Sequence, residues 1–174
     1  MLRSFASNLH VRISESGTQA PSVDVIEYAL KIVVNAVSIT ALTLMIGTIT
    51  GEFERTVIML VVFAAFRFIT GGYHLKSGVF CVIVSTAALS LVPLINLSAG
   101  MANILTLAAC IVVAIFAPSN FDKYAWISDR HYSKLKALAL VIVSSNFLIG
   151  SDVLALTYIL QAVLLPFKDG GDDE

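Results

Sequence analysis

Charge is scarce in this chain. Only 13% of its 174 residues are Asp, Glu, Lys or Arg, against about a quarter in an ordinary soluble domain. Hydrophobic residues make up 57% and the mean hydropathy is +0.88, so too little polar surface exists to coat a globule in water. Lipid is the expected solvent. Cysteine is also rare: Cys81 and Cys110 are the whole complement. Cys110 lies deep in an apolar run, where free cysteine behaves as a small hydrophobe, so a disulfide is not expected. No further Cys or His stands near His74 and Cys81, and His10 and His131 are far off in sequence, so neither a metal nor a cofactor is expected. No phosphate-cradling glycine motif is present, and nothing points to nucleic acid. Nor is any polar stretch long enough for a second core. The expected organisation is one integral membrane domain over 1–174, with an N-terminal interfacial segment (1–27), a helical bundle (28–167) and an acidic tail (168–174).

Residues Met1 to Ala20 carry Arg3, Arg12 and Glu15 and have no continuous apolar core, which does not read as a cleavable signal peptide. Leu2, Phe5, Leu9, Val11 and Ile13 predict instead a short amphipathic helix at the bilayer interface, with a frayed tail as the competing reading. Six apolar segments follow: Tyr28–Thr50, Thr56–Tyr73, Ser77–Leu97, Ile104–Ala117, Leu135–Gly150 and Val153–Phe167. A spanning helix takes about 20 residues, and the last three reach that only with their flanks. The predicted fold is all-α, a polytopic transmembrane bundle of about six spans, with four spans plus a re-entrant pair as the competing arrangement.

Basic residues in short loops orient such a bundle. With six spans, Arg3, Arg12, Lys31, Lys76, Lys123, Arg130, Lys134, Lys136 and Lys168 fall on the side of both termini, and Arg67 lies one turn inside it. Only Arg55 falls opposite, beside the charged turn Gly51–Arg55. Both termini and the loop holding His74 are therefore expected in the cytoplasm of a multi-pass cell-membrane protein. Asn35, Ser144, Ser145, Asn146 and Gln161 are expected to face other helices, because their polar groups find no water there. Ser151 and Asp152 are placed to cap the last helix.

Chemistry concentrates between the second and third segments, in Arg67-Phe-Ile-Thr-Gly-Gly-Tyr-His-Leu-Lys-Ser-Gly-Val-Phe-Cys81. A cysteine attacks a carbonyl as its thiolate, and histidine is the usual base. On one straight helix His74 and Cys81 would share a face yet stand about 10 Å apart along the axis. The pair works only if His74 lies outside the helix and folds back. Gly71-Gly72 permits that reversal, and Ser77 can cap the helix that carries Cys81. Arg67 suits the C-terminal dipole of the preceding helix and can hold the loop or bind a substrate carboxylate. In the polar loop, Lys123, Arg130, Lys134 and Lys136 can attract an acidic peptide, although plain topology and anionic headgroups account for the same residues. By residue type alone the alternatives stay open: a peptidase, a non-catalytic peptide transporter or export partner, or a structural subunit.

The pattern Arg-x-x-x-Gly-Gly-x-His with a Cys seven residues on, here Arg67, Gly71, Gly72, His74 and Cys81 with Lys76-Ser77, resembles the signature of the accessory gene regulator B (AgrB) family. Ala117-Pro118 ahead of the charged loop ending Ser133-Lys134-Leu135-Lys136 extends the resemblance over most of the chain. The resemblance implies a membrane-embedded cysteine endopeptidase of quorum sensing, with Cys81 as nucleophile and His74 as base. Its implied partner is a precursor signal peptide of the AgrD type, whose cleavage leaves an acyl-enzyme that cyclises to a thiolactone or lactone. The loop departs from the family in carrying dispersed basic residues, with Trp126 and His131 among them. Membrane lipids, and a homodimer of so small a bundle, complete the expected partners.

Overall fold

The computed structural model describes residues 2–73, 77–120 and 129–167. His74, Lys76, Lys123 and the tail from Lys168 lie outside the described residues. All regular structure among those described is helical, apart from one isolated bridge between Gly71 and Ser119. The helices are α1 (Leu2–Glu15), α2 (Val23–Ile49), α3 (Phe53–Thr70), α4 (Gly78–Leu91), α5 (Ala99–Phe116), α6 (Tyr132–Ser144), α7 (Asn146–Ile149) and α8 (Asp152–Val163). The chain forms two compact units, 1–42 with 75–86 and 43–74 with 87–174.

The first unit holds α1, most of α2 and the first turns of α4. The amphipathic run at the N-terminus is helical as its spacing predicts, with Ala6 buried and Phe5 and Val11 exposed. Arg3 reaches Asp24 (3.3 Å) and Glu27 (3.7 Å) near the start of α2. Such exposed pairs contribute little. Helix α2 begins at Val23, ahead of the expected Tyr28, because Ser22 Oγ accepts from the Val25 N–H (3.4 Å) and Asp24 suits the positive end of the dipole. Asn35, halfway along α2, packs on Gly78 of α4; a Cβ on that glycine would stand 3.3 Å from the Asn35 amide nitrogen.

In the second unit α8 packs on α5 and α3, and α6 packs on the same two helices. Its core joins Phe66, Ala109, Val113, Ala139, Val143, Tyr158 and Ala162, with the Phe66 and Tyr158 rings edge to face at 5.1 Å. Many of the side chains inside are small or polar, among them Ala102, Ala109, Ala139, Thr106 and Thr157, while Leu148 (93% exposed) and Phe68 (79% exposed) point outward. That order inverts the rule for a protein in water. It suits lipid, where helices associate by close approach of small residues and by hydrogen bonds between helices. Asn146 shows the second device: its Nδ2 donates to Thr106 Oγ1 (2.9 Å) and to the Ser151 carbonyl, and its Oδ1 accepts from the Ser151 N–H. Ser144 corrects the sequence reading, for it is exposed and its hydroxyl turns back to the Leu140 carbonyl.

Each of the six apolar segments carries a helix, with shifted ends. Ser98 Oγ accepts from the Met101 N–H and starts α5 at Ala99, ahead of the expected Ile104. The last segment is helical only to Val163, ahead of Pro166. Among the described residues, three runs are long and apolar enough to cross a membrane: Val23–Ile49, Ala99–Phe116 and Tyr132–Ile149. Gly78–Leu94 and Asp152–Val163 are apolar but shorter.

Arg55 holds one end of this unit. It donates to Asp152 Oδ2 (3.1 Å), Asn96 Oδ1 (3.1 Å) and the Ile95 carbonyl (2.9 Å), and pairs with Glu52 (3.6 Å). Ser151 caps α8 as expected by accepting from the Leu154 N–H. Asp152 is instead the first residue of the helix, its carboxylate accepting from the Val153 N–H and suiting the positive end of the dipole. Burial works against the charge on Asp152, but the Arg55 bond, the Val153 and Leu97 N–H groups and the Arg55 charge outweigh it and hold its carboxyl below the usual range.

Candidate functional site

The double glycine ends α3 as its sequence predicts. Gly71 (φ +69°) caps the helix with its N–H on the Arg67 carbonyl, and Gly72 (φ +130°) follows. A side chain at Gly72 would be strained by that φ and would also meet Gln161 Nε2 at 3.0 Å and Arg67 Nη1 at 3.4 Å. The reversal is stitched to two distant segments. The Gly72 N–H donates to the Ser119 carbonyl (3.1 Å), the Ser119 N–H to the Thr70 carbonyl (2.9 Å), and the Tyr73 N–H to the Leu164 carbonyl (3.1 Å).

Two side chains lock this corner. Gln161, fully buried on α8, donates from Nε2 to the Gly71 carbonyl (2.6 Å) and to Thr70 Oγ1 (3.2 Å). Its Oε1 accepts from Arg67 Nη1 (3.2 Å), and Arg67 Nη2 donates to the Tyr73 carbonyl (2.7 Å). Arg67 thus grips the backbone of the residue that immediately precedes His74. These contacts tie Arg67 to the backbone of the loop. Gln161 facing other helices is as expected from its polarity. Its attachment to the double glycine is not, and its one legible signal is a lone amide in the apolar run of α8. Asn120 (φ +61°) closes the far side by donating to the Phe167 carbonyl (3.0 Å), and the Tyr73 and Phe167 rings lie 6.1 Å apart.

Cys81 is a free thiol, 9% exposed, in the fourth position of α4. Ser77 caps that helix: its carbonyl accepts from the Cys81 N–H (2.9 Å) and its Oγ from the Phe80 N–H (3.5 Å). One turn deeper, Ser85 Oγ stands 3.9 Å from Cys81 Sγ. Cys110 is also free and packs against the core of the second unit.

Of the basic loop residues, Arg130 lies in a 3-10 turn leading into α6, and Lys134 and Lys136 lie in the first turns of that helix. Arg130 and Lys134 are exposed. Lys136 Nζ donates to the Ala114 carbonyl in the last turn of α5 (3.0 Å), a cation on the negative end of a helix dipole. It borders an open cavity of about 420 Å3 lined by Ile115, Phe116, Ala117, Pro118, Tyr132 and Ser133, where the Ala117–Pro118 bond is cis.

No curated protein and no solved structure matches the chain. A family model does, that of accessory gene regulator B, over residues 3–166. Because that match takes in the double-glycine corner, the cysteine helix and the basic segment together, the chain belongs to the accessory gene regulator B family, whose membership implies a part in processing a quorum-sensing peptide.

Proposed function

We propose that this protein is a membrane-embedded cysteine endopeptidase that cleaves a precursor signal peptide. It crosses the membrane six times, with both termini, the His74 loop and the basic segment in the cytoplasm and α1 lying along the interface. The carrying observation is the family match over residues 3–166, a span that contains Arg67, Gly71, Gly72, His74 and Cys81. The grip of Arg67 on the Tyr73 carbonyl supports this reading, because it fixes the backbone from which His74 departs.

His74 removes the Cys81 proton, and the thiolate attacks the carbonyl carbon of the scissile bond. The tetrahedral intermediate collapses as His74 returns that proton to the departing amine, so the C-terminal tail leaves and an acyl thioester stays on Cys81. An internal Cys or Ser of the precursor then attacks this carbonyl carbon. Its proton passes to the Cys81 sulfur, and the N-terminal fragment closes as a thiolactone or lactone. Lys123, Arg130, Lys134 and Lys136 draw in an acidic tail, an attraction that weakens with salt.

The test is cleavage of a synthetic precursor, with a Cys-containing core and an acidic tail, by the purified protein in lipid vesicles. The parent releases the tail, Cys81→Ala releases none, and mass spectrometry finds a peptide adduct on Cys81. Equal cleavage by Cys81→Ala would remove the peptidase reading. Transfer of intact peptide across the vesicle without cleavage would establish the transporter instead.

A further inference from the structure

We propose that Ser85 is a positioning residue for Cys81, its hydroxyl donating a hydrogen bond to the Sγ thiolate. The proposal deepens the peptidase reading and rests on it. Ser85 follows Cys81 by one helical turn, so both side chains lie on one face of α4, and Oγ and Sγ are 3.9 Å apart. In an apolar helix a hydroxyl ordinarily turns back to the carbonyl one turn before it. Thr70, Thr106, Thr157 and Ser144 do so here, onto Phe66, Ala102, Val153 and Leu140. On α4 Thr86 and Ser90 do not, and their hydroxyls are buried without a partner; Ser85 does not either, but it has one. Among the described residues its one hydrogen-bond partner is the Cys81 sulfur.

That choice matters once the thiol loses its proton. With the neutral thiol either atom can donate, whereas with the thiolate only Ser85 can, and the bond becomes charge-assisted. Cys81 is buried, so few water molecules can take over that task, and a buried charge without a donor is strongly disfavoured. During attack on a carbonyl carbon the negative charge leaves sulfur for the carbonyl oxygen, and the Ser85 bond weakens. Ser85 therefore sustains the resting nucleophile and fixes the direction of Sγ. It does not stabilise the oxyanion.

The experiment needs no peptide. The rate of Cys81 alkylation by iodoacetamide at neutral pH is measured by peptide mass on the full chain in lipid, for the parent, Ser85→Ala, Ser85→Val and Ser85→Thr. Val and Thr have nearly the same shape and differ in the hydroxyl, which separates packing from hydrogen bonding. Without the donor, Sγ loses the contact that fixes its direction, and fewer of its encounters with the reagent are productive. The expected result is alkylation slowed about three- to tenfold in Ser85→Ala and Ser85→Val, and within about twofold of the parent in Ser85→Thr. Parent-like alkylation of Ser85→Val, or equal slowing of the Thr and Val variants, would overturn the role of the hydroxyl. Failure of the peptidase reading would show elsewhere, as tail release retained by Cys81→Ala.

Discussion

Arg55 and Arg67 sit near the two ends of α3 and organise those ends differently. Arg55 works by charge: Asp152 and Glu52 face it, and the segment around Ile95 and Asn96 is drawn in alongside. Arg67 bonds the Gln161 amide oxygen and the Tyr73 carbonyl, both neutral acceptors, beside a glycine corner that admits no side chain. An ion pair tolerates sliding, because Coulomb attraction varies slowly with angle. A corner built from directional bonds at a positive φ does not. The contrast teaches that the end of α3 leading to the proposed base is tied down by a glycine corner that tolerates no side chain, as preorganisation would require.

The corner should break most completely at Gly72. Gly72→Ala strains the backbone by about 1–3 kcal/mol and pushes on Gln161 and Arg67. Cleavage is expected to fall by about 100-fold, and tail release over time measures it. Next come the two arginines, exchanged for lysine. Arg67→Lys keeps the charge but cannot serve both acceptors, so cleavage should fall about tenfold. Arg55→Lys should leave cleavage within about twofold while lowering the thermal midpoint in detergent. Equal losses at both sites would erase the distinction drawn here.

Gln161→Leu sharpens it further. The change removes the amide donor from the Gly71 carbonyl and Thr70 Oγ1, at about 1–3 kcal/mol of stability, read from thermal unfolding. The smallest effect belongs to the Arg55 end. The Asp152 carboxyl is depressed in the folded state, so its stabilisation is fully present above the unfolded value, about 3.9. It is lost as pH falls through the lower folded value. Unfolding midpoints between pH 6 and 3 should therefore drop less steeply in Asp152→Asn than in the parent.

Much of this architecture was legible along the chain, for definite reasons. Lipid-facing helices need apolar side chains over most of their surface, so the six segments stood out by hydropathy alone. Their ends did not. Helix α3 starts at Phe53 because Glu54 and Arg55 are good helix residues that read as a charged turn, and α5 starts early because Ser98 caps it. Gly71-Gly72 was readable as a reversal, since only glycine takes such φ values comfortably. Ser144 was misread as an interhelical contact because its own backbone satisfies it. The attachment of Gln161 to Gly71 lay beyond reach, because an amide in an apolar helix shows that a partner exists without showing which.

By itself, then, the sequence determined a helical chain built for lipid, a reversal at the double glycine, and one short stretch that carries both His74 and Cys81. These follow from hydropathy, backbone sterics and side-chain chemistry, all local quantities. Tertiary structure alone decided that Arg67 holds the Tyr73 carbonyl, that Gln161 and Ser119 complete the corner, and that Arg55 binds the opposite end to Asp152. Those are contacts between segments far apart in the chain, and which helices meet is settled by the packing of small residues against one another, a collective property that no single stretch carries.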